Sequence, residues 1–194
     1  GVYFGNFGGG LGSFALYVRD DNTGVFLGYL PGSTAPVISL GFVVGNGGQF
    51  TFNQGAILGG TSNSDEPARA AALSPVTLSG TIANDGAVTG SIVGGANATI
   101  AGTRSGDTGA TQVAAGFYSG GAGTGSGTVY AIANANGQIF MVTQAGTASD
   151  GGVGSINAAG QVSVLTNRSI INATVNASAG LISGNSSGGV TGTF

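Results

Sequence analysis

FALYVRDDNTGVFLGYL, residues Phe14–Leu30, is the stretch that decides the fold class. In its first half Phe14, Leu16 and Val18 alternate with Ala15, Tyr17 and Arg19. A period of two marks a half-buried strand, because successive side chains of an extended chain point to opposite faces. DDNTG at Asp20–Gly24 is a run of turn formers ending in a glycine that tolerates positive φ. VFLGYL at Val25–Leu30 then returns as a second strand. Further along, VISLGFVV at Val37–Val44 is continuously apolar and predicts a strand buried on both faces. NGG then turns into QFTFN at Gln49–Asn53. Glycine punctuates these strand signals at roughly the 8–12-residue spacing of an all-β sandwich or barrel.

The hairpin has a second copy. YVRDDNTGVFLGYLPGS from Tyr17 corresponds to YAIANANGQIFMVTQAGT from Tyr130, whose NANG at Asn134–Gly137 is the hairpin turn. The correspondence extends both ways. VYFG at Val2–Gly5 matches GFYSG at Gly116–Gly120, and GGQFTF at Gly47–Phe52 matches AGQVSVL at Ala159–Leu165. IANDGAVTGS at Ile82–Ser91 matches VNASAGLISGN at Val175–Asn185, and TIAGT at Thr99–Thr103 matches GVTGTF at Gly189–Phe194. The segment Ala56–Ser74 has no counterpart and reads as an inserted surface loop. The chain therefore divides into a first β unit, 1–111 with the inserted loop 56–74, and a second, 112–194. Each is expected to be a small antiparallel β-sandwich or flattened barrel. A β-solenoid is the alternative, with the long period and irregular glycine spacing against it.

Composition narrows the function. The 194 residues include 41 glycines but only 4 prolines, and no period of three, which excludes collagen. With 41% hydrophobic and 6% charged residues the chain is expected to be ordered. Histidine, cysteine, tryptophan and lysine are absent, and the cations are Arg19, Arg69, Arg104 and Arg168. Four scattered arginines and a net charge of −3 do not make a phosphate-binding surface, so no nucleic acid is expected. No run of apolar residues is long enough for a transmembrane helix.

The missing residue types also remove most catalysis. Without histidine, cysteine or lysine there is no Ser-His-Asp triad, no thiolate and no Schiff base. A carboxylate-pair hydrolase is the one enzyme class left, and the chain is read as no enzyme and as binding no cofactor. Its acids, among them Asp85, Asp107 and Asp150, sit beside glycines and read as caps of their own turns. No metal is expected. The single arrangement offering oxygens to calcium is Asp20, Asp21 and Asn22, which lacks the spacing of an EF-hand loop. Five Asn-x-Ser/Thr sites, at Asn97, Asn167, Asn172, Asn176 and Asn185, are glycosylation candidates. The phenylalanines Phe4, Phe7, Phe14, Phe26, Phe42, Phe50 and Phe52 fall on strands and read as core.

An aromatic opening strand, a Tyr-led hairpin, then G-Q-[FV]-[TS]-[FV] and G-x-[VI]-x-G resembles the Gly-rich tandem repeats of secreted β proteins from environmental, Verrucomicrobia-like bacteria. The resemblance implies an extracellular or cell-surface location and no established activity. Low charge adds to it, since weakly charged surfaces repel one another little. The expected function is structural: a self-assembling subunit of an extracellular filament, sheath or surface layer, joined to copies of itself through strand-edge contacts. The assembly candidates are Val2, Tyr3, Phe4 and Phe7 on the first strand and Val190 and Phe194 on the last. An adhesin-like module binding glycan or a surface through the loop Ala56–Ser74 is the alternative.

Overall fold

A computed structural model of the chain describes residues 1–30, 36–54, 76–94, 97–105, 115–121, 127–145, 148–166 and 168–194. Among these the regular structure is all β apart from one 3-10 turn, Gly8–Gly10. The first sheet holds β1 (Val2–Phe7), β2 (Gly12–Val18), β3 (Thr23–Tyr29), β4 (Val37–Val43), β5 (Gln49–Gln54), β6 (Val76–Ile82), β7 (Ala87–Val93) and β8 (Ala98–Arg104). Its order is β4-β3-β2-β1-β8-β7-β6-β5, and its end strands meet through the bridge Val44–Phe50. It is nearly a closed barrel. The second sheet holds β9 (Gly116–Gly120), β10 (Gly127–Ala133), β11 (Gln138–Ala145), β12 (Ala148–Ile156), β13 (Gln161–Leu165), β14 (Ser169–Asn176), β15 (Leu181–Gly188) and β16 (Gly192–Thr193). Here β15 pairs with β14 along its length and with β9 at Ser119–Leu181, so β9 to β15 close into a barrel with β16 on its rim.

The two barrels correspond strand for strand, β1–β8 with β9–β16, as the sequence matches require. Pairing is antiparallel except at the β9–β15 contact, so a β-solenoid, which stacks parallel strands, is not the architecture. The boundary at 111/112 and the loop 56–74 lie outside the described residues.

Phenylalanine fills the first barrel. Phe7, Phe14, Phe26, Phe52, Phe42 and Phe50 form an unbroken chain of ring contacts with centroids 5.2–5.8 Å apart. These rings fit because glycines stand opposite them. Phe14 faces Gly5 across β1–β2, Phe42 faces Gly24 across β3–β4, and Phe50 faces Gly80 across β5–β6. A methyl group at Gly80 would lie 2.7 Å from both Phe50 Cζ and the Thr89 carbonyl. The second barrel uses the same pairing with smaller partners: Ile139 faces Gly154, Met141 faces Gly152 and Ala173 faces Gly184. Phe4 lies outside this core, partly buried between the barrels.

One turn design closes five hairpins, at 19–23, 45–49, 83–87, 134–138 and 157–161. In each, the first residue's amide bonds the carbonyl four positions on, and the fourth residue has positive φ. The carbonyl of that fourth residue accepts from a later amide: Asn22 from Val44, Gly48 from Ile82, Gly86 from Arg104, Gly137 from Ile156 and Gly160 from Val175, at 2.8–2.9 Å. At Gly48 (φ 79°) a Cβ would lie 2.0 Å from the Ile82 carbonyl, so no other residue fits. In the first hairpin the positive φ belongs to Asn22 (62°) and not to Gly24, which lies inside β3. Asn tolerates that conformation, and Gly24 is needed opposite Phe42.

Two further expectations change. VISLGFVV is not buried on both faces: as β4 it ends its sheet, with Leu40, Gly41 and Val43 exposed. Asp150 is not in a turn but inside β12, fully buried.

Gly80→Val is expected to destabilise the protein by about 3 kcal/mol in urea unfolding, because neither the ring nor the carbonyl can withdraw. Gly41→Ala, where a methyl group meets nothing within 4 Å, is expected to stay within about 1 kcal/mol of the parent. Equal effects at the two sites would contradict the glycine–aromatic packing.

Candidate functional site

The barrels lie side by side, and the most distinctive chemistry collects at their junction. β2 and β3 are apolar on both faces. Phe14, Leu16 and Phe26 point into the first barrel, while Ala15, Val25 and Leu27 point out. Across from them β10 and β11 send Ile132, Phe140 and Val142 outward. These outward residues are buried against one another as a third core, flanked by Phe4, Tyr17, Phe117 and Tyr130. Phe117 and Tyr130 stack at 6.1 Å.

A polar contact stands at each end of this apolar seam. At the turn end, Asn134 Oδ1 accepts from the Asn136 and Gln138 amides at 3.0 and 2.9 Å, which fixes its own turn. Its Nδ2 donates across the junction to Ser105 Oγ. At the other end, the Arg168 guanidinium donates to the Tyr29 hydroxyl at 3.3 Å and to the Ser149 carbonyl. Tyr29 also donates to the Ser149 carbonyl at 3.3 Å. Behind this pair lies Asp150. Its Oδ1 accepts from the Gly151 amide at 2.9 Å, and its Oδ2 accepts a hydrogen bond from the Thr166 hydroxyl. Thr166 Oγ1 in turn accepts from the Arg168 and Ser169 amides at 3.2 and 2.8 Å. A buried carboxylate thus holds a threonine, the threonine holds the β13–β14 connection, and that connection presents Arg168 to the first barrel. A buried charge is tolerated when hydrogen-bonded in this way.

Beside the clamp lies a groove of about 320 Å³ lined by Gly12, Ser13, Tyr29, Phe140, Gly151, Gly152, Leu165 and Thr166. Its hydroxyls are already engaged: Ser13 with Asn6 and Thr166 with Asp150. The arrangement positions and ties.

The sequence-derived sites are scattered. Asp21 Oδ1 accepts from the Thr23 hydroxyl and amide at 2.6 and 2.8 Å, which holds its carboxyl below the usual carboxylate range. Among the described residues no three His, Cys, Asp or Glu side chains gather around a common point. Asp85 does cap its turn, through the Ala87 amide. Asp107, Asn167 and the loop 56–74 lie outside the described residues. Asn97, Asn172, Asn176 and Asn185 are all exposed, and Asn172 faces Asn185 directly across β14–β15. Asn176 Oδ1 is held by the Ser178 hydroxyl and Ala179 amide, at 2.8 and 3.2 Å. Val2 is buried at the junction and Tyr3 and Phe7 inside the first barrel, Phe194 packs against the core of the second, and Val190 is buried with its backbone bonded to Ser169 and Ser186. β1 is hydrogen-bonded on both sides, to β2 and β8. The clamp residues Tyr29, Ser149, Thr166 and Arg168 had no sequence signal, because they are brought together from three separate segments.

Burial raises the hydroxyl pKa of Tyr29, Tyr118 and Tyr130, with the Asp150 charge adding to it at Tyr29 against Arg168. A raised folded-state pKa favours the native state below the unfolded tyrosine value of about 10, and that contribution is lost as pH rises through the folded value. Phenolate absorbance of these three tyrosines is therefore expected at higher pH than that of a free tyrosine, with circular dichroism over the same range following the loss of stability. Arg168→Ala and Tyr29→Phe are each expected to cost about 1 kcal/mol, with a double-mutant coupling well above zero. Additive losses would mean the pair does not act across the junction.

Comparison with known protein families, characterised proteins and solved structures returns no match.

Proposed function

We propose that this chain is a structural, self-assembling subunit that packs laterally against copies of itself in an extracellular layer, sheath or filament. The observation that carries the reading is the chemistry of the outward faces. Across the second barrel Ser155, Ser163, Asn172, Asn185 and Thr193 stand side by side on five successive strands. Across the first, Thr51, Ser79, Ser91 and Thr99 form the equivalent row. Gln49, Thr81 and Thr89 repeat beside it as Gln161, Thr174 and Ser183 do in the second barrel. These rows carry hydrogen-bonding groups without charge, so two such faces meet without repulsion or the desolvation cost of ions.

The internal architecture supports the same reading. The chain already joins one barrel to another through outer faces, and repeating that step between chains extends an array. Heterologous contacts of this kind propagate into open arrays when the rotation between copies does not close a ring. Contact through faces also suits the observed strands better than exchange of β1, which is tied to two neighbours and would have to leave its own barrel first. The location outside the cell follows from the composition and from the resemblance to secreted Gly-rich repeats.

Electron microscopy of the native protein at neutral pH tests this reading. Regular sheets or filaments are expected, and their yield should change less than about twofold between low and high salt, because the faces carry no charge to screen. Dispersed single particles at every concentration and salt would overturn it.

A further inference from the structure

The groove beside the clamp has an apolar rim. Leu165 lines it and is 75% exposed. Ile170 faces Leu165 across the β13–β14 ladder, Val153 follows Gly152 of the groove wall, and Leu11 precedes Gly12 of the opposite wall. All four are exposed, half of the eight large hydrophobic residues exposed among the described ones. Contiguous exposed apolar surface marks an interaction site more often than chance does. No charged side chain lines the groove. Tyr29 and Phe140 in its wall belong to the junction core, so the groove is the open continuation of the interface between the barrels.

We propose that a second copy of this chain docks at this groove through the same patch, the Leu165 side chain of each copy entering the groove of the other. The inference rests on the reading that the chain associates with itself. Two features select a second copy. The first is continuity: this surface is where the chain's own barrel-to-barrel packing stops, and its chemistry is that of the packed part. The second is shape. A protruding leucine stands directly beside a hole, and a knob adjoining a hole on one surface is what a two-fold, self-complementary contact requires. Arg168 is not among the residues lining the groove, and its guanidinium is held beside it by Tyr29 and Ser149.

Sedimentation of the whole chain tests the proposal, with Leu165→Asp as the probe and Leu181→Asp as the control. Leu181 is 54% exposed on the same barrel but at the start of β15, away from the groove. Both positions are exposed, and circular dichroism of each variant is the check that it folds. The expected result is a dimer for the parent, at least a tenfold weaker dimer for Leu165→Asp, and an unchanged one for Leu181→Asp. A parent dimer that Leu165→Asp leaves intact, or that both variants weaken equally, overturns the proposal. A monomeric parent overturns it as well. Ordered assemblies by electron microscopy under any of these outcomes leave the structural reading standing, while a monomer without assemblies removes both.

Discussion

The pairing of a glycine with a large apolar side chain directly across two strands is the constraint on which the rest of the structure depends. A strand position without a Cβ lets neighbouring backbones approach and leaves room for a ring to lie over them. Gly5 under Phe14, Gly24 under Phe42 and Gly80 under Phe50 thereby allow a small barrel to hold six phenylalanines. Such a core is dense for so glycine-rich a chain. The second barrel sets glycines opposite smaller apolar residues, Met141 across from Gly152 and Ile139 across from Gly154, and the side chain that a methyl at Gly154 would meet is that of Val164. Its interior is correspondingly lined by Ala131, Ala133 and Ala173 as well as by branched residues. The glycines are therefore half of a packing code and not a sign of looseness.

Closure needs more than packing, and the turns supply it. Each of five hairpin turns offers the carbonyl of its positive-φ residue to a later amide. That bond links hairpin to hairpin around one end of each barrel. It also fixes register, because a one-residue slip would withdraw the carbonyl and turn every side chain to the wrong face. At Gly48, Gly86, Gly137 and Gly160 a glycine does this. At the first turn Asn22 does it instead.

Much of this was legible in the residues. The alternation in Phe14–Val18, the matching of VYFG with GFYSG, and the matching of IANDGAVTGS with VNASAGLISGN identified the strands and their correspondence. A finer repeat was also legible but went unread: GNGGQ, ANDGA, NANGQ and NAAGQ are the same turn, recurring once per hairpin. The continuous apolarity of VISLGFVV misled, because an end strand in a nearly closed sheet can leave Leu40 and Val43 outside. Asp150 misled for a different reason. Its glycine neighbours look like a turn, whereas Gly151 is small because the Tyr29 side chain packs against it, a methyl there coming within 2.9 Å of Tyr29 Cβ. The clamp was not legible at all, since nothing local relates Tyr29 to Arg168.

Why the hairpins at Phe14–Tyr29 and Tyr130–Val142 are apolar on both faces follows from the junction. An isolated barrel needs one apolar face per strand, turned inward. These strands have two, because Ala15, Leu27, Ile132 and Phe140 leave one barrel only to be buried by the other. Elsewhere on both barrels many outward positions revert to Ser, Thr, Asn and Gln, with exposed residues such as Val43, Val93 and Leu165 set among them. An apolar contact of that kind is strong but non-directional, and two smooth barrels held by it alone could slide or rotate. The Asn134–Ser105 bond at one end and the Arg168–Tyr29 bond at the other remove that freedom, since both can form only in one register. The buried Asp150 acts at one remove, by fixing Thr166 and through it the connection that aims Arg168. The buried Asp150 is thus explained by what it orients.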